Sequence, residues 1–213
     1  MSNHTLFRKR PTCLIVPGLN NSGPRHWQTV WEQSRSDCER VDLGSWGNPH
    51  RNHWVTKLNL AITSESRPVV LVAHSLGCLA VAWWAALAEP DQQEQVIGAL
   101  LVAPPDVEDA RAHPLVQRFA PAPRTTFKFP SIVVASSDDS YATIDRSRTF
   151  AHRWGARFID AGPIGHINAD SMLGEWPEGQ QLLDRLIGHS TATSAHDRPA
   201  PLLDNGRPRL RGH

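Results

Sequence analysis

Ser75 lies in the segment Val69-Val70-Leu71-Val72-Ala73-His74-Ser75-Leu76-Gly77, where an apolar run gives way to a serine and then to a longer apolar stretch, Cys78 to Ala88. The short run reads as a buried strand and the longer stretch as a helix, so the serine occupies a strand–turn–helix junction. This junction approximates the nucleophile elbow G-x-S-x-G, with Ala73 at the first glycine position and Gly77 at the second. The demand is steric. The turn is so sharp that the positions two before and two after the serine crowd neighbouring backbone, and only small side chains fit. A hydroxyl presented this way attacks an acyl carbonyl once a base takes its proton and a carboxylate orients that base. The plainer alternative is an N-cap serine on a buried helix.

The elbow predicts partners further along the chain, an acid and then a histidine, each just after a strand. Asp138 and Asp139 follow the run Ile132-Val133-Val134-Ala135-Ser136-Ser137, and Gly165-His166 follows the weaker strand Arg157 to Asp160. Spacing does not choose between the two aspartates, and an acidic pair after a strand also serves as a turn or cap. His74 reads as a packed or site-lining residue whose side chain points away from that of Ser75. His26, His50 and His53 read as surface or helix-face residues. The last two stand at i, i+3 with no third ligand evident, so no metal is expected. The oxyanion donors are the N–H of Leu76 and the N–H of Leu19 or Asn20, in a loop where Gly18 permits unusual dihedrals. Trp27, Trp46 and Trp54 are candidates for the pocket wall, although aromatic residues at helical spacing more often build core. The chemistry requires no cofactor.

Apolar runs at residues 13–16, 69–72, 96–102 and 132–134 read as parallel strands covered on both faces, with weaker strands at 40–43 and 157–160. Helical patterns fall at 24–35, 49–63, 76–88, 143–154 and 175–187; in the second, Trp54, Leu58 and Ile62 share one face. The alternation predicts an α/β fold, a three-layer sandwich around a mostly parallel sheet, with its site at the carboxyl ends of the strands. The 213 residues divide into a loose start at 1–10, a compact domain at 11–188 and a disordered basic tail at 189–213, where four arginines face two aspartates. A net charge of +1 argues against a nucleic-acid partner bound through a strong overall field. The longest apolar run, Cys78 to Ala88, is too short for a membrane span, which needs about 18 residues. Three cysteines without a C-x-x-C pair and no visible secretory signal suit a reducing cytoplasm. Oligomeric state is not legible.

The segments I-V-P-G-L-N-N-S-G-P-R-H-W-Q-T-V-W-E, V-A-H-S-L-G-C-L-A-V-A-W-W-A, S-S-D-D and G-H-I-N-A-D-S-M-L-G-E-W-P-E-G span most of residues 14–179. In combination they resemble the small YdeN-like serine hydrolases of the α/β-hydrolase fold, which are related to a retinoblastoma-binding hydrolase. The resemblance implies Ser75 as nucleophile, His166 as base and Asp139 as the acid. It also implies a small enzyme without a large lid domain that acts on a small ester or amide; a non-catalytic protein-binding module on the same scaffold is the alternative. Two departures stand out. Around Trp46-x-x-Pro49-x-x-x-x-Trp54, Gly, Asn and His replace the acidic residues the family pattern suggests, which makes this loop a suspect in substrate choice. The L-x-C-x-E motif associated with retinoblastoma binding is absent, its nearest approach being Leu76-Gly77-Cys78-Leu79-Ala80, so that partner does not carry over.

Overall fold

The computed structural model describes residues 10–196, with side chains through residue 188. Six strands form one sheet: β1 (Thr12–Val16), β2 (Cys38–Arg40), β3 (Val69–His74), β4 (Val96–Val102), β5 (Ser131–Ala135) and β6 (Arg157–Asp160). Their order is β2-β1-β3-β4-β5-β6, and every neighbouring pair is parallel. The helices are α1 (Trp27–Ser34), α2 (Arg51–Ser64), α3 (Leu76–Leu87), α4 (Pro90–Glu94), α5 (Pro114–Gln117), α6 (Ile144–Trp154) and α7 (Pro177–His196).

The period of two in a strand explains the three layers. Leu14, Val16, Leu71, Ala73, Leu101 and Val133 face one core with α2, α3 and α6. Their neighbours Ile15, Val70, Val72, Leu100, Ile132 and Val134 face the other core with α1 and α7. Central strands must therefore be apolar at every position, and β3 is buried along its whole length. Helix α3 is apolar nearly all round because it is covered twice, by the sheet and by α2; Trp84 Nε1 donates to Asn59 Oδ1 of α2 at 3.0 Å.

Some boundaries differ from the sequence reading. Strand β2 pairs at 38–40, ahead of the expected 40–43. Val41 N–H still reaches the Ile15 carbonyl at 2.9 Å, but the chain then leaves the ladder and sends Val41 and Leu43 into the core. The short helices α4 and α5 have no apolar period long enough to read, and proline at the first helical positions marks both. Helix α7 continues to His196, past the point where the sequence places a structureless tail. A helix satisfies its own backbone bonds, so it need not stop where its packed face stops. Residues 1–9 and 197–213, which hold most of the expected loose ends, lie outside the described residues. No helix among the described residues is long and apolar enough to cross a membrane.

Sequence order runs from β1 outward to β2, then returns across β1 to β3. The loops after β1 and β3 therefore diverge at a topological switch point, where an open α/β sheet forms its crevice.

Candidate active site

Ser75 follows β3 directly with φ 52 and ψ −125. A non-glycine residue in this region is strained, and the strain persists only because the surroundings over-determine it. Three contacts do so. The Ser75 N–H donates to the Val102 carbonyl at 2.9 Å. A Cβ on Gly77 would lie 2.2 Å from the Val16 carbonyl oxygen, and one on Gly18 would lie 2.8 Å from the Ser75 Cβ. Ala73, at the first glycine position, is fully buried.

His166 Nε2 lies 2.8 Å from Ser75 Oγ. On the other edge of the ring, Nδ1 lies 3.0 and 2.9 Å from the two carboxylate oxygens of Asp139. The Asp139 side chain is 3% exposed and that of His166 10%. With Nδ1–H given to the carboxylate, Nε2 is bare and accepts the serine hydroxyl. The geometry also separates the two aspartates that spacing left open. Asp138 Oδ1 accepts from the Gly165 N–H at 2.7 Å and the Ser136 hydroxyl at 2.7 Å. These bonds, the Ser136 one first, lower its pKa. Asp138 thus braces the loop that carries the histidine, while Asp139 touches the histidine itself.

The His166 loop is held from beneath. Trp27 Nε1 donates to the Ile167 carbonyl at 2.8 Å, and Ile167 is fully buried with φ 47. His74 Nε2–H donates to the His166 carbonyl at 2.9 Å. His74 is buried behind His166, as a packed residue that also borders the cavity. Trp27 and Trp54 are corrections: at 1% and 0% exposed they are core, and neither lines the cavity. Trp46 packs against the same core, with its ring 5.7 Å from that of Trp54, and it too stays off the cavity wall. The Trp46–Trp54 loop meets the loop after β1 through its backbone: the Trp46 carbonyl accepts the Asn20 N–H at 3.0 Å.

That bond removes Asn20 from the oxyanion donors. Leu76 N–H stands at the first position of α3, where no helical carbonyl precedes it. Leu19 N–H has no acceptor among the described residues. The reason for Gly18 also changes. Its place is set by the close approach to Ser75, and the left-handed turn falls instead on Asn20 and Asn21, each at φ 64. Asparagine tolerates that region better than most side chains. Arg40 fastens the loop through Asn21 Oδ1 at 2.9 Å and the Ser22 carbonyl at 3.0 Å.

His26 is another correction. It is 4% exposed, caps α1 by accepting the Gln28 N–H at Nδ1, and borders the cavity. His50 and His53 are exposed, as expected. Burial first, then the charges of Arg40 and His166, push the His26 pKa down to about 4 from an ordinary 6.5. His74, whose ring lies 4.6 Å from that of His26, moves the same way, chiefly through burial. Below pH 6.5 the unfolded chain takes up protons that the folded chain refuses. Stability must therefore fall between pH 6.5 and 4, by about 3 kcal/mol for His26 alone at about 1.4 kcal/mol per unit. Urea unfolding at pH 7 and pH 4.5 measures this, and an unchanged midpoint would contradict it.

The cavity over Ser75 has a volume of about 240 Å³. Besides the residues above, Pro105, Val116, Tyr141 and Asn168 line it, and spacing singled out none of them. Tyr141 is the only tyrosine of the chain and stands two residues after Asp139, the one signal by which it was open to notice. Away from the site, strand register brings Cys13 opposite Cys38, and with Asp37 their ligand atoms lie within 4.8 Å of one another. Sequence spacing hides this group. The Cys38 hydrogen bond and then burial push the Cys13 thiol up, and Arg35 already holds Asp37 at 3.0 Å.

A family profile described as serine hydrolase matches residues 13–185. Among solved structures, a protein from Pectobacterium atrosepticum assigned as a YdeN-like hydrolase is 26% identical with TM-score 0.75, covering 85% of this chain and 92% of its own. The ydeN gene product of B. subtilis is 20% identical with TM-score 0.65, covering 84% and 99%. Est1E from Butyrivibrio proteoclasticus is 13% identical with TM-score 0.63, covering 88% and 90%. These last two likenesses speak to the fold alone. No curated protein is similar enough to the chain to count as a match.

Proposed function

The chain belongs to the serine hydrolase family, and from that premise we propose that it cleaves a small carboxylic ester or amide through an acyl-enzyme on Ser75. The observation that carries this reading is the unbroken line from Ser75 Oγ to His166 Nε2 at 2.8 Å and from Nδ1 to Asp139 at 2.9 Å, set on a strained elbow. His166 takes the hydroxyl proton as Oγ bonds the carbonyl carbon. The N–H groups of Leu76 and Leu19 receive the oxyanion, and Asp139 stabilises the imidazolium. The proton on Nε2 then passes to the leaving alcohol or amine as its bond to the acyl carbon breaks. A water molecule gives its proton to the same nitrogen and attacks the acyl carbon; as the bond from that carbon to Ser75 Oγ breaks, Nε2 returns the proton to Oγ and the carboxylic acid departs. No step calls for a cofactor.

The cavity of about 240 Å³ lies below the common range for ligand sites, about 300–1,000 Å³, which favours a small substrate. A fluorophosphonate probe tests the reading. Wild type should be labelled and Ser75→Ala should not; labelling of both alike, or of neither, would sink covalent serine chemistry here.

A further inference from the structure

Tyr141 is 54% exposed, one of only four large hydrophobic side chains so open among the described residues. Its ring centroid lies 4.3 Å from that of His166 with the planes tilted by 42°. The backbone is tied on both sides: the Tyr141 N–H donates to Asp139 Oδ1 at 2.9 Å, and its carbonyl accepts the Asp106 N–H at 2.9 Å. The ring is thus a platform whose root is set by the same carboxylate that orients the base.

Three cavities meet at this ring. The one over Ser75, of about 240 Å³, and a second of about 320 Å³ toward Asp106 and His113 share Pro105, Val116 and Tyr141. A third, of about 520 Å³, shares Tyr141, His166 and Asn168 with the first. Pro105 and Val116 are buried, and together with Tyr141 they make an apolar saddle beside the reacting atoms. Much of the surrounding wall is polar: Asn20, Asn21, His26 and Asn168 on one side, Asp106 and Asp109 on the other. An exposed aromatic ring beside apolar side chains suits a planar unsaturated group, because aromatic pairs gain from offset or edge contact beyond the area they bury.

We propose that Tyr141 is a specificity-determining residue of this site: its open ring, with Pro105 and Val116, receives an aryl group of the ester substrate two or three bonds from the scissile carbonyl carbon, on its acyl or its alcohol side. The inference rests on the serine hydrolase reading above and names the substrate class for that site. It assigns no part of the proton transfer to the phenol.

Two pairs of esters matched in size test it: methyl phenylacetate against methyl cyclohexylacetate, and benzyl acetate against cyclohexylmethyl acetate. Within each pair one ring is flat and the other puckered, while the reacting carbonyl keeps similar reactivity. Wild type should favour the flat member of at least one pair by about tenfold in kcat/KM, with the difference mainly in KM. Tyr141→Ala and Tyr141→Leu should bring that ratio close to one, and Tyr141→Phe should keep it. The pair that shows the effect tells whether the saddle serves the acyl or the alcohol side.

A wild type without preference in either pair overturns the proposal, as does a ratio that survives Tyr141→Ala and Tyr141→Leu while all four rates fall together through kcat. Labelling of Ser75 by fluorophosphonate without hydrolysis of either flat ester overturns it too, and leaves the serine chemistry standing. Loss of both labelling and hydrolysis in wild type refutes the underlying reading instead.

Discussion

Asp139→Asn is expected to lower kcat about ten-thousand-fold while the fold and the Ser75 hydroxyl stay in place. The carboxylate accepts the Nδ1–H of His166 through both oxygens, and this leaves Nε2 free to take the serine proton across 2.8 Å. An asparagine can turn its amide N–H toward Nδ1. The ring proton then moves to Nε2, and the imidazole offers Ser75 a donor where a base is needed. Asp138→Asn is the matched comparison. Asp138 only accepts, from Gly165 and Ser136, and an amide oxygen accepts both bonds. It should stay within about tenfold of wild type, the scale of a weakened neutral hydrogen bond at about 1 kcal/mol. Steady-state kinetics on the two variants measure the contrast. A larger loss at Asp138 than at Asp139 would reverse the assignment.

Gly77→Ala should cost the fold about 3 kcal/mol or more. Its Cβ would sit 2.2 Å from the Val16 carbonyl oxygen and 2.7 Å from that of Pro17. Both are backbone atoms at the end of a fully buried central strand, so no side chain can rotate aside. Either α3 must lift off the sheet or the end of β1 must move, and each loosens the packing that holds Ser75 at φ 52. The urea midpoint should fall sharply, with loss of fluorophosphonate labelling in whatever remains folded. A wild-type midpoint would mean that the junction has slack the geometry does not show.

Much of the architecture was legible along the chain. Strands β1, β3, β4 and β5 are apolar at nearly every position because both faces are covered, and that covering is a property of the runs themselves. Helix α2 shows its buried face through Trp54, Leu58 and Ile62. The elbow was legible for the same local reason, since small residues, a serine and two flanking elements fall within nine positions. Edges and short helices were less so. Strand β2 touches one neighbour only, and α5 spans Pro114–Gln117 without a full apolar period.

What the sequence determined by itself is therefore the set of groups: one serine on an elbow, two aspartates after β5 and one histidine after β6, all at the carboxyl end of a parallel sheet. It could not tell Asp138 from Asp139, because neighbours in a loop differ in direction and not in position. Nor could it show that Asn20 gives its N–H to the Trp46 carbonyl, that His26 is buried, or that the tryptophans proposed for the wall lie in the core or pack against it. Each of these depends on how loops from distant parts of the chain meet. Pattern along one strand is dictated by burial of that strand, whereas the direction of a bond across the switch point is decided only when β1, β3, β5 and β6 stand in register and bring their loops together.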